Sequence, residues 1–188
     1  METVVRSTDL RAGEAEGATA ESLAFRAAAG SHAAFEALVR MYERRVYGLA
    51  YRYVHDRHEA QDLVQEIFLR LFSRLGRFDP RRRFDPWFWR LAAHVCLNYV
   101  RRRVTRPLVL NPLDDGQLEG PALAEESDVG AALVRLRPPD RLLLLLHYRV
   151  GIPLDECARV LGVRLPAVRS RLYRAREELR RALTSSAA

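Results

Sequence analysis

Residues 84–103, FDPWFWRLAAHVCLNYVRRR, constrain the fold more than any other stretch of the chain. Two tryptophans and two phenylalanines crowd the first six positions, and three consecutive arginines close it. Asp85 is expected to cap a helix, and Pro86 suits a first helical turn. Phe88, Leu91, Ala92, Val95 and Tyr99 recur at helical spacing and make one apolar stripe. Trp87, Arg90, His94, Asn98, Arg101 and Arg102 fall on a different face. A large aromatic beside arginines and small polar groups suits unpaired bases, because a ring stacks on a base while guanidinium holds phosphate. An amphipathic core helix with a solvated basic end would share much of this pattern. The rest of the chain decides between the two.

At 188 residues the chain can form one medium domain or two small ones. Aliphatic residues, Ala and Arg abound, and β-branched runs are scarce, which favours an all-α fold. No run of about 18 apolar residues exists, so no spanning helix is expected. The opening METVVRSTDLRAGEAEG lacks the basic start and apolar stretch of a secretory signal. Cys96 and Cys157 lie far apart and away from paired His or Cys at zinc spacing, so neither disulfide nor metal is favoured. Together these features point to the cytoplasm and to no cofactor.

Net charge is +7, and all 31 basic residues are arginine. The charge is segregated. Residues 1–24 carry −3, residues 25–103 carry +8, residues 104–134 carry −5 and residues 135–188 carry +7. Two basic blocks joined by an acidic tether suggest two surfaces for a polyanion.

Residues 1–20 are small, polar and acidic, and are expected to be a disordered tail. A short helix over Glu21–Ala29 stops at Gly30. Ser31 caps a longer helix over 32–55, with Phe35, Leu38, Val39, Tyr42, Val46, Leu49, Ala50 and Tyr53 as its stripe. Asp56 and Glu59 have capping-box spacing before a helix over 58–75, which turns Ala60, Leu63, Val64, Ile67, Phe68, Leu71 and Leu75 inward. Its other face shows Asp62, Gln65, Glu66 and Leu69. A solvated face would share the acid and amide groups, and the exposed leucine among them suits a protein-docking surface. With the helix over 86–103, these make a bundle spanning 21–103. Residues 104–127, rich in Pro, Gly and acid, read as a linker.

A second domain spans 128–183, followed by a short tail over 184–188. Ala131–Leu136 is expected to be helical and to end at Pro138-Pro139. Asp140 then caps a helix whose Leu142–Leu146 run is buried. Leu154, Cys157, Ala158 and Leu161 form a short helix, Gly162 a tight turn, and Pro166 starts a longer helix lined inside by Val168, Leu172, Ala175, Leu179 and Leu183. Short helix, glycine turn and arginine-bearing helix are the pattern of helix-turn-helix DNA binding. Arg164, Ala167, Arg169, Ser170, Tyr173 and Arg174 face outward. Arginine reads guanine edges bidentately, and Arg171 and Arg176 are placed to hold phosphates.

Taken together, the chain resembles bacterial RNA polymerase sigma factors of the extracytoplasmic-function (ECF) group of the sigma-70 family. FEALVRMYERRVYGLAYRYVHD resembles the first helix of sigma region 2, and DLVQEIFLRLF carries the D-x-x-Q-E pattern at Asp62, Gln65 and Glu66. FDPWFWRLAAHVCLNYVRRR is similar to the promoter-melting helix, and LRPPDRLLLLLHYRVGIPLDECARVLGV with VRSRLYRAREEL to region 4. The resemblance covers 21–103 and 128–183. It departs at His94, where Asn is usual, at Asn98, where Asp is usual, and at Ala167, where Thr is common.

The resemblance implies two helical domains, a region 2 bundle and a region 4 helix-turn-helix, joined by a flexible acidic linker. It implies that Asp62, Gln65, Glu66 and Leu69 dock on the clamp helices of core polymerase, with region 4 on the flap. Arg83, Trp87, Arg90, His94, Asn98, Arg101 and Arg102 would capture the unpaired −10 strand. Arg164, Arg169, Ser170, Arg171, Tyr173, Arg174 and Arg176 would hold the −35 duplex. An anti-sigma partner is implied as well. No catalysis is expected of the chain itself, and no metal: His55 and His58 lack a third ligand. The alternative is a free-standing helix-turn-helix regulator acting without polymerase, which would need neither the D-x-x-Q-E helix nor the aromatic–arginine helix.

Overall fold

The computed structural model describes residues 18–105 and 128–186. The expected tail up to residue 17, the linker over 106–127 and the final two residues lie outside the described residues. Among the described residues every regular element is helical. The first unit comprises α1 (Ala20–Ala28), α2 (His32–Val54), α3 (Arg57–Arg74) with a 3-10 turn at Leu75–Arg77, and α4 (Phe84–Thr105). The second comprises α5 (Asp128–Arg135), α6 (Pro138–Leu144) running straight into a π-helical turn at Leu145–Val150, α7 (Leu154–Leu161) and α8 (Leu165–Ser186). Helix α1 begins at Ala20 inside the expected N-terminal tail, α4 runs two residues into the expected linker, and α8 runs into the expected C-terminal tail. Among the described residues no helix is long and apolar enough to cross a membrane.

Local side-chain caps set the starts of α1, α2 and α3. Ser31 accepts a hydrogen bond from the Ala34 N–H at 3.3 Å, and Asp56 accepts one from the Glu59 N–H at 2.9 Å, as the spacing predicts. Thr19 does the same for α1, accepting from Ser22 at 3.2 Å. Gly30, at φ +97°, takes the left-handed turn after α1.

Two expected caps do other work. Asp85 lies inside the first turn of α4, where it accepts the Tyr42 hydroxyl proton and sits 3.8 Å from Arg45. The free N–H of Phe84 is satisfied from across the bundle instead, by Glu21 Oε1 of α1 at 2.9 Å. That bond, more than any other influence, holds the Glu21 carboxyl below its ordinary value. Asp140 likewise lies within α6, which begins at Pro138 without a side-chain cap. It is buried against Arg137 at 2.7 Å and Arg171 at 3.6 Å. Asp85 is taken by partners distant in the chain, and Asp140 by the nearby Arg137 together with the distant Arg171.

The first unit closes on an aromatic cluster. Tyr42 meets Phe88 at 4.7 Å between ring centroids and Phe84 at 5.5 Å, while Phe78 meets Phe84 at 5.2 Å. Trp89, Phe84 and Phe88 are fully buried. Burial, seconded by Asp85, pushes the Tyr42 phenol well above its ordinary value, so it remains a hydrogen-bond donor. In the second unit the Leu142–Leu146 run is buried throughout, with Val168, Leu172 and Ala175 of α8 against the same interior.

The two units share one core. Helices α2 and α4 both contact the helices of the second unit. The buried Arg141 of α6 donates to the carbonyls of Tyr53 in α2 and of Val134 and Leu136 at the end of α5, the last at 3.0 Å. Its guanidinium lies 5.6 Å from the Tyr53 ring. Arg45 adds a second tie, donating to the Val150 carbonyl at 3.3 Å. His55, in the left-handed region at φ 58°, ends α2 with its ring against Gly130. A Cβ at Gly130 would come within 2.5 Å of that ring, so the approach of α5 to α2 depends on glycine there.

Glu21→Ala is expected to cost about 1 kcal/mol, the usual value of a lost cap. Because the Glu21 pKa is lowered, its contribution is present above the ordinary 4.5 and is lost as pH falls through the folded value. Thermal denaturation of both proteins at neutral and acid pH should therefore converge in acid. Arg141→Met should cost about 3 kcal/mol, since it strands buried carbonyls while keeping the side chain's bulk. Denaturant titration checks it.

Candidate nucleic-acid interface

Helix α3 divides its surface as its spacing predicts. Ala60, Leu63, Ile67 and Leu71 are buried, while Asp62 and Gln65 are exposed and Leu69 is 63% exposed. Phe72, which the sequence reading did not single out, is 56% exposed and continues the stripe Asp62, Gln65, Leu69 at helical spacing. Its ring is anchored edge-on to Phe35 at 5.1 Å. The signal was present, since Phe72 lies three residues beyond Leu69 on the outward face. Glu66 differs from its neighbours. It is half-buried and ion-paired with Arg102 of α4. A residue expected at the polymerase face and one expected at the DNA face therefore neutralise each other in the free chain.

Helix α4 brings Trp87, Arg90, His94, Asn98, Arg101 and Arg102 to one groove between itself and α3, with a volume of about 680 Å³. Trp87 is half-buried, resting 5.2 Å from Phe78 and 5.6 Å from Phe84, so the aromatic cluster fixes the ring while leaving part of it open. The other members are exposed. Arg83 stands outside the groove, exposed just before α4 begins. A held ring beside exposed guanidinium groups can stack on a base and neutralise phosphate.

The second basic surface lies on α8. Gly162, at φ +66°, closes α7 and makes the tight turn into α8. Arg164, Arg169, Ser170, Arg174 and Arg176 are exposed, and Tyr173 is 66% exposed. They project opposite the buried Val168, Leu172 and Ala175. Arg174 bends back to the Ser170 carbonyl at 3.4 Å. Arg171 departs from its expected place on a phosphate. It is turned toward the buried Asp140 of α6, and this pair pins α8 to α6. The sequence pattern could not separate Arg171 from its neighbours because its partner lies 31 positions away in the chain.

Both cysteines are buried and free. Burial pushes the Cys96 thiol up to about 12 and the Cys157 thiol up to about 11, so neither is appreciably ionised at neutral pH. Both should resist a thiol-reactive dye in the native protein and react only on unfolding. A mixing experiment with and without denaturant checks this.

A helix-turn-helix with a basic outer face, packed on a bundle with an aromatic–arginine groove, defines a DNA-binding protein of two helical units. The comparisons narrow the class. The family description Sigma-70 region 2 matches residues 38–106, and Sigma-70, region 4 matches residues 127–179. The chain belongs to the sigma-70 family of RNA polymerase sigma factors, and its curated relatives place it in the ECF group. It is 34% identical to the ECF RNA polymerase sigma factor SigE of Mycolicibacterium smegmatis over 78% of this chain and 60% of that protein. It is 31% identical to the RNA polymerase sigma-H factor of Pseudomonas aeruginosa over 87% of this chain and 93% of that one. It is also similar to CnrH, solved in complex with the cytosolic domain of CnrY. There the TM-score is 0.65 at 26% identity, covering 89% of this chain and 99% of that one.

Proposed function

We propose that the chain directs bacterial core RNA polymerase to its promoters, reading the −35 element as duplex and capturing the −10 element as a melted single strand. The observation that carries this is the pairing of surfaces within α3 and α4. One side of α3 presents acid, amide and apolar groups, and its junction with α4 presents an aromatic–arginine groove. A regulator that binds only duplex DNA needs neither. In this reading residues 21–103 form region 2, residues 104–127 the linker and residues 128–183 region 4. Asp62, Gln65, Glu66 and Leu69, now joined by Phe72, dock on the clamp helices of the largest polymerase subunit, and region 4 docks on the flap.

Arg169, Ser170, Tyr173 and Arg174 enter the −35 major groove, with Arg164 and Arg176 on phosphates. Arg171 supports the helix through Asp140. Trp87, Arg90, His94, Asn98, Arg101 and Arg102, with Arg83 before them, hold the nontemplate −10 strand. Captured bases offset a melting cost of about a few kcal/mol each. His94 and Asn98, where the family more often has Asn and Asp, alter base preference there. The chain catalyses no reaction; polymerase makes the bonds. It works in the cytoplasm, needs no cofactor, and is restrained by an anti-sigma protein. The similar CnrH is solved in complex with the cytosolic domain of CnrY, and a Bartonella quintana RpoE of like fold is solved in complex with the anti-sigma factor NepR.

A pull-down of core polymerase followed by run-off transcription on a promoter library tests the proposal. Asp62→Ala with Glu66→Ala should lower core affinity at least tenfold. Arg169→Ala with Arg174→Ala should leave core affinity intact and reduce promoter selection by a similar factor, about 1 to 3 kcal/mol for each base pair no longer read. A chain that shifts duplex DNA but ignores core polymerase would be a free-standing regulator.

A further inference from the structure

The groove between α3 and α4 has two walls, and the proposed −10 surface uses only one. The second wall is Arg70 and Arg74 of α3 with Arg77 of the following turn. All three are exposed, and among the described residues they have no carboxylate partner. The groove is lined by six arginines and one carboxylate, and that carboxylate, Glu66, is already paired with Arg102. Arg70 and Arg74 stand one turn apart, a like-charge spacing that disfavours the helix. The C-terminal end of α3 favours a cation at Arg74, but it supplies no full countercharge, and an anion from outside can fill that place.

We infer that Arg70, Arg74 and Arg77 form a phosphate-binding wall that grips the backbone of single-stranded DNA from the polymerase-docking helix, opposite the bases held on α4. The inference rests on the proposed capture of a melted strand. Guanidinium forks match phosphate oxygens two at a time and stay charged at any physiological pH. The half-buried Trp87 ring on the facing wall offers a stacking surface, so phosphates and bases of one strand are provided for on opposite sides. A groove of about 680 Å³ has room for nucleotides of a single strand. Arg70 and Arg74 also share α3 with Asp62 and Leu69, so the helix that meets polymerase is the one that clamps the strand.

The test uses the full chain and a fluorescent single-stranded deoxyoligonucleotide of mixed sequence, followed by anisotropy across a salt series. Arg70→Gln, Arg74→Gln and Arg77→Gln together should weaken binding about tenfold and reduce the slope of log affinity against log salt by about 2, roughly 0.7 for each phosphate no longer neutralised. Each single variant should lower the slope by about 0.7, and Arg70→Lys should largely retain it. Core polymerase affinity should stay within twofold. Arg90→Gln with Arg101→Gln, on the α4 wall, serves as the comparison. If that variant loses strand binding while the α3 variants do not, the inference fails and the proposed function stands. If neither loses it, or the parent chain binds no oligonucleotide, the proposed −10 surface falls too. Loss of core affinity in step with strand affinity would make the wall a polymerase contact. Polyglutamate binding as tightly as the oligonucleotide would assign it to an acidic protein segment.

Discussion

The buried guanidinium of Arg141 joins everything else in the chain. A cation withdrawn from water costs several kcal/mol unless its protons find partners. Here the partners are backbone carbonyls at the ends of two helices, Tyr53 in the last turn of α2 and Val134 and Leu136 at the end of α5. Such carbonyls lack intrahelical donors and carry the negative end of the helix dipole. One side chain therefore satisfies orphan groups from both helical units. Burial draws its pKa below the ordinary guanidinium value, yet it remains charged. The neighbouring Asp140 extends the arrangement to α8 through Arg171. The frame that presents the outward arginines of α8 is thus held by two charged residues that never face solvent.

A comparable economy governs α4. Its inner face supplies Phe84, Phe88 and Trp89 to the aromatic cluster, and its outer face supplies the arginines and Trp87 to the groove. Trp87 belongs to both, since Phe78 and Phe84 hold a ring whose remaining surface opens to the groove. A stacking platform held by its neighbours loses less entropy when a base arrives than one that must be ordered first. Rigidity in the core and readiness at the surface have the same cause. The Glu66–Arg102 pair adds a further link, because it joins the helix proposed to meet polymerase to the helix proposed to meet DNA.

Much of this was legible in the residues. The stripes of α2, α3 and α8 follow a 3.6-residue period, and burial obeyed them, because the side of a helix that faces the core is set by local geometry. Ser31, Asp56, Gly30 and Gly162 act where they were expected, each within a few residues of its backbone partner. The readings that changed involve charged side chains with distant partners. Asp85 binds Tyr42 and Arg45, Asp140 binds Arg171 besides the nearby Arg137, and the start of α4 is capped by Glu21, 63 positions earlier. No spacing rule reaches across such separations.

The sequence by itself determined the helices, their inward faces, the two basic blocks and the helix-turn-helix, since periodicity, turn residues and charge are local properties of the chain. The family motifs were equally local, each a short run of residues. Tertiary structure decided which charges remain for a partner and which are used within the fold. It turned Arg171 to Asp140, paired Glu66 with Arg102, and set Arg70, Arg74 and Arg77 opposite Arg90 and Arg101 across one groove. The reason is physical. An arginine's role depends on the nearest carboxylate or carbonyl in space, and the packing of α3 on α4 and of α6 on α8 supplies that neighbour.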